Sequence, residues 1–213
     1  MAVKSDREYR DMTMEVRTAE NEEVPEERKV VTGYASTFNE PYTLYEDDGW
    51  RFNEVVDARA FENTDMSDVI MQYDHEGRVF ARMSNNTLTV TPDEKGLLIE
   101  ADLGGTELGR QLFEEIRGGY TNKMSFGFTV DGEDYLDTKD VDGKALTVRT
   151  ITSVRKLYDV SAVSLPANDA TSISVRSLTD GEIERIQAER LEAEALELRR
   201  RKLLARAKLN GGQ

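Results

Sequence analysis

Apolar and polar positions alternate through most of the chain, and the period changes only near its end. In DMTMEVRT (11–18), Met12, Met14 and Val16 alternate with polar neighbours, which predicts a half-buried strand. The acidic AENEEVPEER (19–28) reads as a solvated connection. KVVTGYASTF (29–38) is rich in strand formers, and Gly33 within it permits a bulge or a close backbone approach. Loop residues run through NEPYTLYEDDGW to Trp50 and are followed by RFNEVV. DARAFENT predicts a short helical turn, and SDVIMQYDH an apolar strand leading directly into His75.

The second half repeats the β pattern around one helix. NNTLTVTPDEKGLLIEADL (85–103) predicts a hairpin turning between Pro92 and Gly96. TELGRQLFEEIRGG (106–119) changes to a helical period, with Leu108, Leu112, Phe113 and Ile116 on one face. Thr106 is placed to cap its start and Gly118 or Gly119 to stop it. NKMSFGFTVDG (122–132) predicts a strand with Met124, Phe126 and Phe128 on one side and Ser125 and Gly127 on the other. DGEDYLDTKDVDG (131–143) reads as an acidic loop, and LTVRTITSVRKLYDVSAVSLPAND (146–169) as two strands ending at Pro166. Closely spaced strands with few helices predict an α+β, mainly β fold: a curved sheet or β-barrel core with peripheral helices.

From Ser177 onward strand formers almost vanish. Ile183, Ile186, Leu191, Ala195, Leu198 and Ala205 mark a helical stripe, with acids first (Glu182 to Glu197) and bases later (Arg199 to Lys208), which suits the helix dipole. This predicts a long C-terminal helix that packs back on the core, self-associates or docks a partner. The expected organisation is an N-terminal strand and acidic linker (1–28), a folded domain (29–176) and a charged helix (177–213).

Composition narrows the chemistry. Of the 213 residues 38% are hydrophobic, enough to build a core, and the formal net charge of −14 leaves no basic footprint for nucleic acid. No cysteine is present, which removes disulfides, thiolate metal sites and cysteine nucleophiles together. No apolar run approaches the roughly 18 residues of a membrane span. MAVKSDREYRD has no apolar segment of the leader type, so the expectation is a soluble protein acting without membrane or nucleic acid. A single histidine, His75, with no cysteine leaves too few of the usual ligands for a zinc site. An all-carboxylate site for a hard cation stays open, although no calcium-loop spacing is present.

Nucleophilic catalysis without cysteine needs Ser or Thr, a base, and a group that orients the base. Ser125 lies on the face of its strand opposite the apolar residues, and Gly127, next along that face, leaves room for a substrate backbone. Asp159 interrupts an apolar β run, where a carboxylate must be satisfied, either by a functional partner or by nearby Arg155 or Lys156. His75, Ser125 and Asp159 would form a base, nucleophile and orienting acid from three separate strands. Residue types and periodicity alone leave this reading beside an ordinary surface histidine and a polar strand face.

The order of the motifs adds to it. VTGYASTFNEPYTL (31–44), DARAF (57–61), VIMQYDHEGRVFARM (69–83), GLLIEADLGGTELGRQLFEEIRGGYTNKMSFGF (96–128) and LYDVSAVSLPANDAT (157–171) resemble, in sequence order, the conserved blocks of the prohead serine proteases of tailed bacteriophages. The fold of that family is similar to that of herpesvirus assemblins. The resemblance covers roughly residues 30–176. Each block is weak alone; five in order are specific. Arg59 departs from the glycine usual in the family. By position, the resemblance implies His75 as general base, Ser125 as nucleophile and Asp159 as third member, where assemblins have a second histidine. It implies hydrolysis of a major capsid protein precursor, of scaffold, and of the protease itself, inside the procapsid in the host cytoplasm and without a cofactor. Backbone N–H groups after Ser125 or around Arg155 are the candidate oxyanion donors. The competing classes are a catalytically inactive scaffold-like assembly protein and a carboxylate metal hydrolase.

Overall fold

The computed structural model describes residues 7–12, 17–18 and 28–164, and further on 185–193, 195–197 and 199–201. The chain divides into two compact units, residues 1–175 and 176–213. In the second, all the described residues are helical. Arg185 bonds Glu189 at 3.3 Å and Arg201 bonds Glu197 at 2.6 Å, one helical turn apart in each case. Such exposed pairs add a few tenths of a kcal/mol each. The rest of the helix expected over 177–213 lies outside the described residues.

The first unit is mainly β. In chain order its described elements are β1 (Glu8–Met12), β2 (Arg17–Thr18), β3 (Val30–Thr37), β4 (Tyr42–Glu46), β5 (Trp50–Val56), β6 (Ile70–Tyr73), β7 (Glu76–Arg82), β8 (Leu88–Pro92), β9 (Gly96–Asp102), α1 (Glu107–Arg117), β10 (Lys123–Lys139) and β11 (Ala145–Val163). One sheet runs β1-β10-β11-β5-β4, with β6 on β11 and β7 on β6; a four-stranded sheet runs β2-β3-β9-β8. Among the described residues these are two sheets and not the closed barrel that the strand spacing also allowed. They share one apolar core. Val31, Leu97, Ile99 and Ala101 come from the small sheet, Met124, Phe126, Phe128 and Leu157 from the large one, and Leu112, Phe113 and Ile116 from α1.

The helix follows its signals closely. Thr106 caps it by accepting from the Gly109 N–H, and Gly118 closes it. Its buried face holds Gly109 in place of the expected Leu108, which stays partly exposed. A methyl at Gly109 would lie 2.3 Å from the Leu103 carbonyl oxygen, so only glycine lets the helix approach β9 so closely.

Two expectations change along β10 and β11. Residues 131–139 are strand and not loop, paired with β11 through to Lys139↔Ala145, and β11 is one strand of 19 residues and not two. The acidic side chains that suggested a loop have cross-strand partners: Glu133 bonds Arg149 and Asp137 accepts from Thr147. Register shifts between Gly127 and Glu133 bend β10, as bulges do, and curve the sheet. One edge of β11 pairs in parallel with β5 over Ala145–Ile151, and farther along with β6 over Asp159–Ala162.

Beside β1 the sheet encloses a charged cluster. Arg10 reaches both oxygens of Glu54, at 2.5 and 2.9 Å, and Arg149 reaches Glu54 at 2.7 Å and Glu8 at 2.8 and 2.9 Å. Tyr42 also donates to Glu54. Burial alone would raise the Glu54 carboxyl, but the charges of Arg10 and Arg149 outweigh it and hold its pKa below 4.5; Glu8 is lowered in the same way. A folded-state pKa below the unfolded one gives stability that is complete above the unfolded value and lost as pH falls through the folded value. The thermal midpoint should therefore hold near neutrality and fall as pH drops below about 4.5. Glu54→Ala should cost about 3–5 kcal/mol in denaturant unfolding, because it removes the one fully buried carboxylate that two buried guanidinium groups share. A loss under 1 kcal/mol, on the order of a surface change, would contradict this account of the cluster.

Candidate functional site

The strand pairing brings the three expected residues together. Ser125 sits on β10 opposite Ser161 of β11, and Gly127 opposite Asp159. Both faces of the sheet are buried here: Met124, Phe126 and Phe128 face the core, while Ser125 and Asp159, equally buried, face the other way. His75 arrives from the β6–β7 hairpin. Tyr73 pairs with Glu76, so Asp74 and His75 form a two-residue turn, and both have positive φ (50° and 59°). That is the backbone of a type I′ hairpin, in which the strand twist favours left-handed central residues. Asp74 fixes the turn to the end of β11. Its N–H donates to the Ala162 carbonyl at 2.9 Å, and its carboxylate accepts from the N–H and hydroxyl of Ser164.

From the hairpin tip the imidazole spans the other two groups. Nδ1 lies 2.5 Å from Asp159 Oδ1 and Nε2 lies 2.5 Å from Ser125 Oγ. A carboxylate only accepts, so Nδ1 carries the proton toward Asp159 and Nε2 is left to accept from the serine hydroxyl. Ser161 Oγ also donates to Asp159 Oδ1 (2.9 Å), and the Arg7 guanidinium meets Oδ2 at 2.5 Å. The arrangement therefore holds an acid, an imidazole and a hydroxyl in the order that hydroxyl activation requires. The Asp74 carboxylate, next to His75 in sequence, is engaged by Ser164.

Several expectations change in detail. Lys156 bonds Asp65 and Arg155 lies 3.6 Å from Asp131, so neither is the partner of Asp159. Arg155 sits at the level of Thr129 and Val130 in the strand register. At about 3.3 Å per residue that is more than 10 Å from Ser125, too far to help hold an oxyanion there. The room left by Gly127 is filled by the protein itself. A Cβ there would lie 2.5 Å from Asp159 Oδ2 and 2.8 Å from the Tyr9 ring.

Sequence reasoning missed Arg7, Tyr9, Arg10 and Ser161. Ser161 was findable, because it stands two residues from Asp159 and so on the same face. The residues at the start of β1 and just before it gave no such signal, since three of the four in REYR are charged. Yet the Tyr9 ring packs edge-on against His75 with centroids 4.4 Å apart, and Ser125 Oγ donates to the Arg10 carbonyl at 2.9 Å. Among the described residues no group of three or more His, Asp or Glu side chains is placed to hold a metal ion. No described helix is long and apolar enough to cross a membrane.

The crowding at Gly127 is testable as stability. Gly127→Ala should cost about 1–3 kcal/mol by overpacking against the Asp159 carboxylate and the Tyr9 ring. Gly105→Ala, where a methyl meets nothing within 4 Å, should stay within about 0.5 kcal/mol. Equal unfolding midpoints for the two variants would contradict the assigned packing.

Comparison with known proteins extends this. No curated protein and no solved structure matches the chain significantly. A family model described as caudovirus prohead serine protease matches residues 13–185, a span that includes His75, Ser125 and Asp159. With most of its length matched, the chain belongs to the caudovirus prohead serine protease family.

Proposed function

We propose that this protein is a serine endopeptidase of capsid maturation, with Ser125 as nucleophile, His75 as general base and Asp159 as the acid that orients it. The observation that carries the reading is the continuous chain of two 2.5 Å contacts from Asp159 through the imidazole to Ser125 Oγ. In the reaction His75 Nε2 takes the hydroxyl proton as Oγ bonds to the scissile carbonyl carbon. The imidazolium, stabilised by Asp159, then gives that proton to the leaving amine as the C–N bond breaks. Water attacks the acyl-enzyme by the same steps in reverse and restores Ser125.

Family membership supports capsid proteins as the substrates. On this reading they are the coat-protein precursor or scaffold, cut inside the procapsid in the host cytoplasm, and the protease finally cuts itself. A two-sheet unit with a hairpin-borne histidine is compatible with an assemblin-like fold, with Asp159 standing where assemblins have a second histidine. The C-terminal helix is assigned to docking on scaffold or coat, or to self-association. If so, deleting 178–213 lowers the number of protease copies per procapsid, and unchanged packaging would count against it.

One observation favours the alternative of an inactive, scaffold-like protein: Ser125 has no exposed surface. Incubating the purified protein with the coat precursor separates the readings. The intact chain should cleave it, and Ser125→Ala or His75→Ala should lower the rate by about ten-thousandfold or more. Asp159→Asn should lose about ten-thousandfold through the wrong imidazole tautomer, and a chelator should change nothing. Absence of cleavage, or equal cleavage by the variants, would remove the protease reading, while loss with chelator would point to a metal hydrolase.

A further inference from the structure

The nucleophile is covered by the protein's own chain. β1 is an edge strand lying antiparallel to β10, with Arg10 opposite Phe126 and Asp11 opposite Ser125. Tyr9 covers His75, and the carbonyl of Arg10 takes a hydrogen bond from Ser125 Oγ. No substrate reaches Ser125 while β1 is in place. The serine has one hydroxyl proton and two acceptors within reach, His75 Nε2 and the Arg10 carbonyl. A docked β1 thus competes with the base for the proton that catalysis must transfer.

The other face of β1 enters a charged pit. Glu8 and Arg10, two residues apart and so on one side of the strand, meet walls that already hold the opposite charges. Glu54 of β5 binds the Arg10 guanidinium through both oxygens, and the Phe128 ring lies 5.5 Å from it. Arg149 of β11 binds Glu8 through two nitrogens. Buried ion pairs contribute little net stability over apolar packing of the same volume, whereas they discriminate strongly between occupants. Strand addition at a sheet edge has the same division: main-chain bonds give affinity, and pockets for alternate side chains give specificity.

We propose that the edge of β10 beside Ser125 is the substrate-binding edge, that β1 occupies it as a substrate-like strand, and that Glu54 and Arg149 select an extended peptide. That peptide carries a cation at the residue whose carbonyl faces Ser125 and an anion two residues before it. This rests on the reading of Ser125 as nucleophile and adds to it which peptides are cut.

Two measurements on the full-length protein test the proposal. In the first, a fluorogenic peptide copying SDREYRDMTM (residues 5–14) is added in trans and its products are read by mass spectrometry. Cleavage is expected on the carboxyl side of the residue matching Arg10. Peptides with alanine for the residues matching Glu8 or Arg10 should lose at least about tenfold in kcat/KM, as hot-spot truncations do. In the second, Ser125 is labelled with a fluorophosphonate. Tyr9→Ala, which loosens β1 without altering the pit, should label at least about tenfold faster than the unaltered chain, a shift of about 1.4 kcal/mol in the docking equilibrium. Equal cleavage of all three peptides, or equal labelling of Tyr9→Ala and the unaltered chain, would overturn the proposal while leaving the nucleophile intact. Labelling of neither chain, with no peptide cut, would overturn the nucleophile reading as well.

Discussion

A carboxylate with no exposed surface stands at Asp159, in the middle of a sheet, and a group so placed must find charged or hydrogen-bonding partners. The site is arranged by how this requirement is met. Ser161 supplies a hydroxyl from the same strand, Arg7 a guanidinium from just before β1, and His75 an imidazole N–H from the β6–β7 hairpin. Each partner constrains its own element. β6 pairs in parallel with β11 at Asp159–Ala162, which brings the hairpin tip within reach. The tip then turns through two left-handed residues, tied down by Asp74. Gly127 gives up a side chain so that the carboxylate and the Tyr9 ring can both lie over it. Once the imidazole is fixed by Asp159, its second nitrogen falls on Ser125.

How much of this could be read in advance depends on how local each cause is. Ser125 stood out because Met124, Phe126 and Phe128 claim the core face, which is period-two sterics and needs no tertiary information. Asp159 stood out because an acid in an apolar run demands a partner. The helix was legible through Thr106 and Gly118, whose capping is local chemistry. What was not legible depends on chain segments distant in sequence. Residues 131–139 read as loop because their acidic side chains suit water, and the Arg149 and Thr147 that satisfy two of them lie across the strand. The alternative partners that the sequence offered for Asp159 fail for the same reason: Arg155 and Lys156 are near in sequence, yet they bond Val130 and Asp65.

β1 is the clearest case. REYR carries charges at three of its four positions, which ordinarily marks an exposed segment. Arg10 is instead buried and Glu8 half-buried because Glu54 and Arg149 complete them, and the Arg10 carbonyl meets Ser125 because β1 lies beside β10. With Arg7 just before it, the same strand thus contributes to the charged cluster, to the partners of Asp159 and to the cover over the histidine. Stability and occlusion of the site are coupled through one short segment, so a change that loosens the cluster also changes access to the hydroxyl.

Because His75 is the only histidine, its ring is a single, unambiguous probe of the central claim that an imidazole is held between Asp159 and Ser125. Nitrogen and proton NMR of the ring in the intact chain measures this directly. The account predicts the tautomer protonated at Nδ1, with that proton far downfield and protected from exchange, retained in Ser125→Ala and lost in Asp159→Ala. A ring protonated at Nε2 alone, or an Nδ1 signal indifferent to Asp159→Ala, would contradict it.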